Sequence, residues 1–351
     1  MTTPTQVRLA PTGHTVLFTH AALWGAAAIA AVGNDDIRIG WTGGLTPAAV
    51  VYGIDGPALA GAVHRRAAAA GEPGHWIGAA LPHEPDRALF SPRIKLLPDA
   101  PSWQAMHTAR QSHLDALHGA ADLLDLQLLA ALGQPSSWHT FKGEPRQDHG
   151  ASRLEMQPRN QGSEFVGTRL RALAAAVANR ELKQVEAGLT GAQMTDEVGK
   201  GNAESRSAAN LRPPGLTDNA LAWTAMWGLA STPVAHLVSQ MSRTAAHIPF
   251  DKNSGLGPEV RAGHVVAPMW SGRWTMSRLR TILASQALST VAQAHLQPGP
   301  MSAAAQRDQE WLLEHGVQGL VLLPIHTFGS TSSPERRAVP GTLVRLGASA
   351  V

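Results

Sequence analysis

The sequence predicts an α+β protein: a mixed α/β lobe at the N-terminus, a mainly helical remainder and a few strands near the C-terminus. Three observations predict it. Short strand-like and helical pieces alternate through residues 1–100. From Ser102 onward apolar residues recur at helical spacing. Near the end, GVQGLVLLP (Gly316–Pro324) is a short apolar run bounded by glycine and proline, the pattern of a buried strand. The expected organisation is an α/β lobe over 1–100 and a mainly helical lobe with a terminal strand pair over 101–351. A chain of 351 residues can bury one large core or two smaller ones.

Taken in order, TVLFT (Thr15–Thr19) reads as a strand and Leu23–Val32 as a helix. IRIGW (Ile37–Trp41) alternates like a half-buried strand, and Pro57–Ala70 reads as a helix stopped by Gly71. Glycine and proline then cluster through Pro101, with an edge hairpin expected at Phe90–Leu97. In the helical stretch after Ser102, Leu114, Leu117, Ala121, Leu124 and Leu128 form one apolar stripe. A connection is expected over Gly133–Gly150, then an amphipathic helix over Glu164–Asn179. Thr217 or Asp218 suits the N-cap of DNALAWTAMWGLA, a helix apolar on most faces and so central to the core. Its Trp223 and Trp227 stand one turn apart and read as core partners. Ser277–Ala294 is expected as one long helix. Leu343–Leu346 is expected to partner the Gly316–Pro324 strand, with a Ser/Thr/Gly-rich loop over Gly329–Gly341 between them.

Composition narrows the function classes. The chain has no cysteine, which removes disulfides, thiolate nucleophiles, cysteine-bound zinc and iron–sulfur clusters. The longest nearly apolar run, Ala21–Gly33, falls short of the roughly 20 residues a bilayer span needs and follows no basic n-region. The expectation is therefore a cytoplasmic protein with no membrane partner. Net charge is only +3, but arginine outnumbers lysine 24 to 5. A GC-rich gene would produce that bias; so would a surface built for bidentate phosphate and base contacts. Distribution favours the second account locally: no acidic residue lies between Val260 and Arg307, a window holding Arg261, Arg273, Arg278 and Arg280.

Local catalytic signatures are missing. The sequence contains no GxxxxGK[ST], no GxSxG and no HExxH. Helical spacing would set Asp115, His118, Asp122 and Asp125 along one side, where a divalent metal could be held for hydrolysis. That side lies opposite the leucine stripe, where a solvated face also belongs. Two polar stretches are richer. Gly150–Arg180 places Arg153, Arg159, Asn160 and Gln161 in or beside a loop leading to a helix that displays Arg169 and Arg171. Glu204–Asn219 carries Arg206, Asn210 and Arg212. Such mixtures supply base-edge donors and acceptors together with phosphate contacts, although a capped helix with solvated arginines has the same composition.

Five segments in series carry a resemblance: LWGAAAIAAVG, IRIGWT, GASRLEMQPRNQGSEFVGTRLRALA, LTDNALAWTAMWGLASTPVAHL and GVQGLVLLPIHTFGSTSSPERRAVPG. Together they resemble a compact, large-subunit-like protein of the Cascade effector complexes of type I CRISPR systems, subtype U/G. The resemblance implies a non-catalytic, cytoplasmic subunit working beside crRNA-containing effector subunits in antiviral defence. Such subunits inspect the protospacer-adjacent motif, bind double-stranded target DNA, hold the displaced strand and offer a surface to a helicase-nuclease recruited later, while RNA–DNA pairing reads the sequence. No cofactor and no metal are expected. On chemical type, Asn160, Gln161, Asn210 and Arg212 are the candidates for reading the motif. Arg153, Arg159, Arg169, Arg206, Arg273, Arg278, Arg280, Arg336 and Arg337 are the candidates for backbone contacts. The alternatives are a metal-dependent hydrolase on the Asp115/His118/Asp122 face and a purely structural scaffold subunit.

Overall fold

The computed structural model describes residues 5–156, 165–237, 241–249, 262–330 and 333–347. The fold is α+β, as expected. Its centre is a pair of helices, α1 (Leu17–Ala30) and α7 (Asn219–Gly228), every residue of which is buried. Two glycines allow this contact. A Cβ on Gly25 would fall 1.8 Å from the Thr224 carbonyl oxygen, and one on Gly228 2.1 Å from that of Ala21. Trp223 and Trp227 meet edge to face at 5.5 Å in this core. Asp218 caps α7, accepting from the Ala220 N–H at 2.8 Å.

Around this pair the chain lays down β1 (Gln6–Arg8), β2 (Arg38–Trp41) and β3 (Ala49–Tyr52), an antiparallel sheet in the order β1-β3-β2. Helix α2 (Gly56–Ala69) follows, capped by Asp55. Next come the short hairpin β4 (Ala80–Leu81) and β5 (Glu84–Ala88), helices α3 (Ala100–Gly119) and α4 (Leu123–Leu132), and a second short hairpin, β6 (Thr140–Phe141) and β7 (Glu144–Pro145). Helices α5 (Arg171–Ala178) and α6 (Leu182–Thr190) pack on α2 and α7.

Beyond α7 lie β8 (Val234–Ala235) with β9 (Arg243–Thr244), then β10 (His247–Ile248) and β11 (His264–Trp270). Helices α8 (Met276–Ala284), α9 (Gln286–Leu296) and α10 (Ala303–Glu314) separate β11 from β12 (Val317–Ser330), β13 (Ser333–Ala338) and β14 (Thr342–Arg345). Five strands form the second sheet, in the order β10-β11-β12-β13, with β14 also on β12. A bridge of two 2.8 Å hydrogen bonds between Ile39 and Trp274 ties the first sheet to the end of this one. One continuous apolar cluster runs from Val7 to Leu346. Among the described residues no helix is long and apolar enough to cross a membrane.

Several local expectations change. Thr15–Thr19 is not a strand: α1 begins at Leu17, and the β-branched start is overruled by burial of the whole helix. Residues Phe90–Leu97 form no hairpin; the pairing lies just before them, in β4 and β5. The helix after Ser102 breaks at Gly119, where Ala121 takes φ +53° and Asp122 starts α4 as its N-cap. Likewise Ser285 divides Ser277–Ala294 by capping α9. Each break is a short polar residue accepting a backbone N–H, which competes with continuing the helix. The expected loop over Gly329–Gly341 contains strand β13, while β14 pairs with β12 as expected.

Candidate nucleic-acid interface

Strand β12 outruns its partners in the sheet. Its second half, Ile325–Ser330, pairs with β13 and, past a last bond from the Ile325 N–H to the Gly263 carbonyl, makes a two-stranded ribbon. Register sets Phe328 opposite Glu335 and His326 opposite Arg337, so these four side chains share one face. Thr327 and Arg336 share the other. Near the sheet the second face closes into the core through Ile325 and Ala338, both buried. Phe328, further out, is 37% exposed, and the Arg337 guanidinium sits 4.4 Å above its ring.

Two other segments bring arginines to the Phe328 face. Arg206, an exposed residue of the loop before α7, pairs with Glu335 at 2.8 Å; Arg337 reaches the other oxygen of the same carboxylate at 3.3 Å. Arg169, in the π-helical turn that leads into α5, lies close enough to Arg206 and Glu335 to feel both. Burial lowers its pKa first, Arg206 lowers it further, and Glu335 opposes them. Two guanidinium groups thus pair with one carboxylate while a third lies within electrostatic range, and the face keeps net positive charge. The Nε of Arg169 is buried without an acceptor.

On the opposite face Arg336 donates to the Glu155 carbonyl at 3.5 Å. The Glu155 carboxylate itself is held by Arg93, which also donates to the Ser152 carbonyl at 2.9 Å. Arg153 lies nearby, anchored through its backbone N–H to Thr244 at 2.9 Å. Burial pushes the pKa of His247 down to about 4, its hydrogen bond to the Ala262 carbonyl opposes this, and Arg153 and Arg336 add to the lowering. At pH 7 the imidazole is neutral and the arginines hold the charge. The ribbon thus gathers Arg153, Arg169, Arg206, Arg336 and Arg337 from four separate stretches of sequence.

The loop that carries Arg206 is rigidly built. Arg180 donates to both oxygens of Asp218 at 3.0 Å, to Glu197 at 2.6 and 2.7 Å and to the Thr195 carbonyl at 2.6 Å. Asp196 accepts from Ser207 at 2.6 Å and Asn219 at 2.9 Å. These bonds fold a polar stretch into a clasp whose Asn210 carbonyl receives the N–H of Ala338 in β13. Asn210 itself is 3% exposed at φ +63°, so it serves the clasp and turns no edge toward a base. Arg212 is half-buried near the Phe18 ring, with its pKa lowered by burial. Arg159, Asn160 and Gln161 lie outside the described residues.

The remaining arginines belong elsewhere. Arg273 lies over the Tyr52 ring at 4.2 Å, and Arg278 lies over Trp274 at 4.9 Å while donating to the His315 carbonyl. Arg280 turns into a cleft beside α4. These three arginines of the acid-free window therefore make their contacts away from Phe328, and Arg261 lies outside the described residues. The expected Asp/His face also divides. Asp115 and His118 end α3 exposed, Asp122 is half-buried and Asp125 fully buried. Arg66 binds both of the latter, at 3.2 and 2.5 Å, and the Trp76 indole donates to Asp125 at 2.7 Å. Burial, with the neighbouring Asp122, raises Asp125 to about 7. Among the described residues no three His, Asp or Glu side chains converge on a point where a metal could sit.

Comparison of the chain with protein-family models, with curated proteins and with solved structures returned no match.

Proposed function

We propose that this chain is a non-catalytic nucleic-acid-binding subunit of a crRNA-guided type I CRISPR effector complex, and that the β12–β13 ribbon is the part that holds nucleic acid. The observation that carries the reading is the Phe328 face: a partly exposed aromatic ring flanked by Arg337, Arg206 and Arg169 around a single carboxylate. A cationic strip tracks phosphates, and an aromatic face stacks on any base. Sequence-tolerant binding of a displaced single strand asks for that chemistry. Motif reading gains less support, because Asn210 is buried in the clasp.

The test is fluorescence anisotropy of the full chain with a single-stranded DNA and the matching duplex over a salt series. With Arg169, Arg206 and Arg337 changed to Ala, single-strand affinity should fall by about tenfold or more, and the log–log salt slope should shrink by about 2. Phe328→Ala should weaken single-strand binding by about 1–3 kcal/mol and duplex binding less. Arg273→Ala with Arg278→Ala should leave both nearly unchanged. Unaltered affinity and salt slope in the triple variant would remove the ribbon assignment. If that variant also assembles normally with crRNA-containing partners, a scaffold role is left.

A further inference from the structure

A cleft of about 660 Å³ opens where α1 ends and α4 and α8 begin. Its size falls in the range of small-ligand sites. Ala28, Ile37, Leu124 and Met276 give it apolar walls. Its lining carries two chemically unlike groups. The first is Arg280, one turn into α8 and on the same side as Met276 and Ser277. Its buried Nε has no acceptor, burial alone lowers its pKa, and among the described residues no carboxylate pairs with it. Beside it is the first turn of α8. Thr275 takes the Arg278 N–H at 3.1 Å, while the N–H groups of Met276 and Ser277 fall in the stretch a helix cannot bond internally. A guanidinium and a helix N-terminus at one point form an anion site, and phosphate suits both.

The second is Asp122, its side chain one-third exposed. Arg66 faces it, but that charge is already matched by Asp122 and Asp125 and covered by the Trp227 ring at 5.0 Å. Among the described residues Arg280 is thus the cation of the cleft that joins no ion pair, although the Asp35 carboxylate lines the cleft as well. Asp122 gives part of its capacity to Arg66 and to the Asp125 N–H at 3.2 Å, and a carboxylate has lone pairs to spare.

We propose that this cleft binds a small phosphorylated molecule of mononucleotide size, its phosphate on Arg280 and the first turn of α8 and its ring N–H groups on Asp122. The site is separate from the ribbon, and neither depends on the other. The experiment is isothermal titration of the full chain with 5′-AMP, 5′-CMP, 5′-GMP and 5′-UMP, with adenosine and with inorganic phosphate. At least one mononucleotide should bind tenfold or more tightly than adenosine or phosphate. Arg280→Ala should weaken it by at least about tenfold, and Arg280→Lys by less. Asp122→Asn keeps the α4 cap and should weaken the nucleotide while sparing inorganic phosphate. The ribbon triple variant should bind the nucleotide like the parent chain. Absence of mononucleotide binding, equal binding of free phosphate, or indifference to Arg280→Ala in a protein with an unchanged melting temperature would each overturn the proposal.

Discussion

Asp218 does two jobs with one carboxylate. It caps α7 through the Ala220 and Leu221 N–H groups and receives both Arg180 bonds, all in a buried setting. Removing it leaves a buried guanidinium short of its partner and a central helix uncapped. Asp218→Ala should cost about 3–5 kcal/mol in urea unfolding, and Asp218→Asn, which keeps the cap, less. A loss below 1 kcal/mol in the alanine variant would contradict this. Gly25 makes the opposite kind of demand, since it matters for what it lacks. With the Thr224 oxygen 1.8 Å from where a Cβ would stand, Gly25→Ala must push α1 from α7 and should lose about 3 kcal/mol by the same measurement. Gly33, at the free end of α1 with open space around it, should by comparison matter only through its positive φ of 75°.

At the scale of elements, the β12–β13 ribbon and the loop before α7 share Glu335. That carboxylate engages Arg206 and Arg337 and partly cancels the positive field of the face. Glu335→Gln should therefore raise single-strand DNA affinity by a few fold and steepen its salt dependence by about one phosphate contact. Lower affinity would mean that Glu335 chiefly positions the arginines. These elements were unevenly legible in the sequence. Helix α7, its Asp218 cap and the β12–β14 pairing are written locally, in a capping residue and continuous apolar runs. Strand β13 is not: SPERRA carries no apolar alternation, because half of the ribbon faces outward and its pairing partner supplies the order. Helix α10 and strand β11 also emerge only from the structure, although β11 has the apolar run of a buried strand.

For the whole molecule, pH acts through buried histidines. Burial is the main cause that pushes His20, His75, His247 and His264 down to about 4 from an ordinary 6.5. Between those values the unfolded chain binds protons that the folded chain refuses. Stability should therefore be full above about pH 6.5 and fall as pH drops toward 4, by about 1.4 kcal/mol per pH unit for each fully buried group. His75 is only partly buried and contributes least. Asp125 works the other way, since its raised pKa of about 7 lets the folded state take up a proton first as pH falls. One carboxyl does not offset four imidazoles. Urea midpoints at pH 7.5, 6 and 5 should decline in that order, and a flat series would show that the histidines are charged in the fold.

The sequence alone determined the α+β class, the absence of cysteine chemistry, the apolar central helix with its cap, and the five arginines later found at the ribbon. Each of these follows from composition or from neighbours within a few turns. Tertiary structure decided which arginines meet. Arg206 and Glu335 are 129 residues apart in the chain, and only the register of β13 and the Arg180 clasp bring them to 2.8 Å. It also decided that Asn210 is buried, that the Asp/His stripe is cut by a helix break, and that Arg280 lines a cleft without joining an ion pair among the described residues. Pairing across long loops is set by the packing of the entire core, and no short window of sequence contains that information.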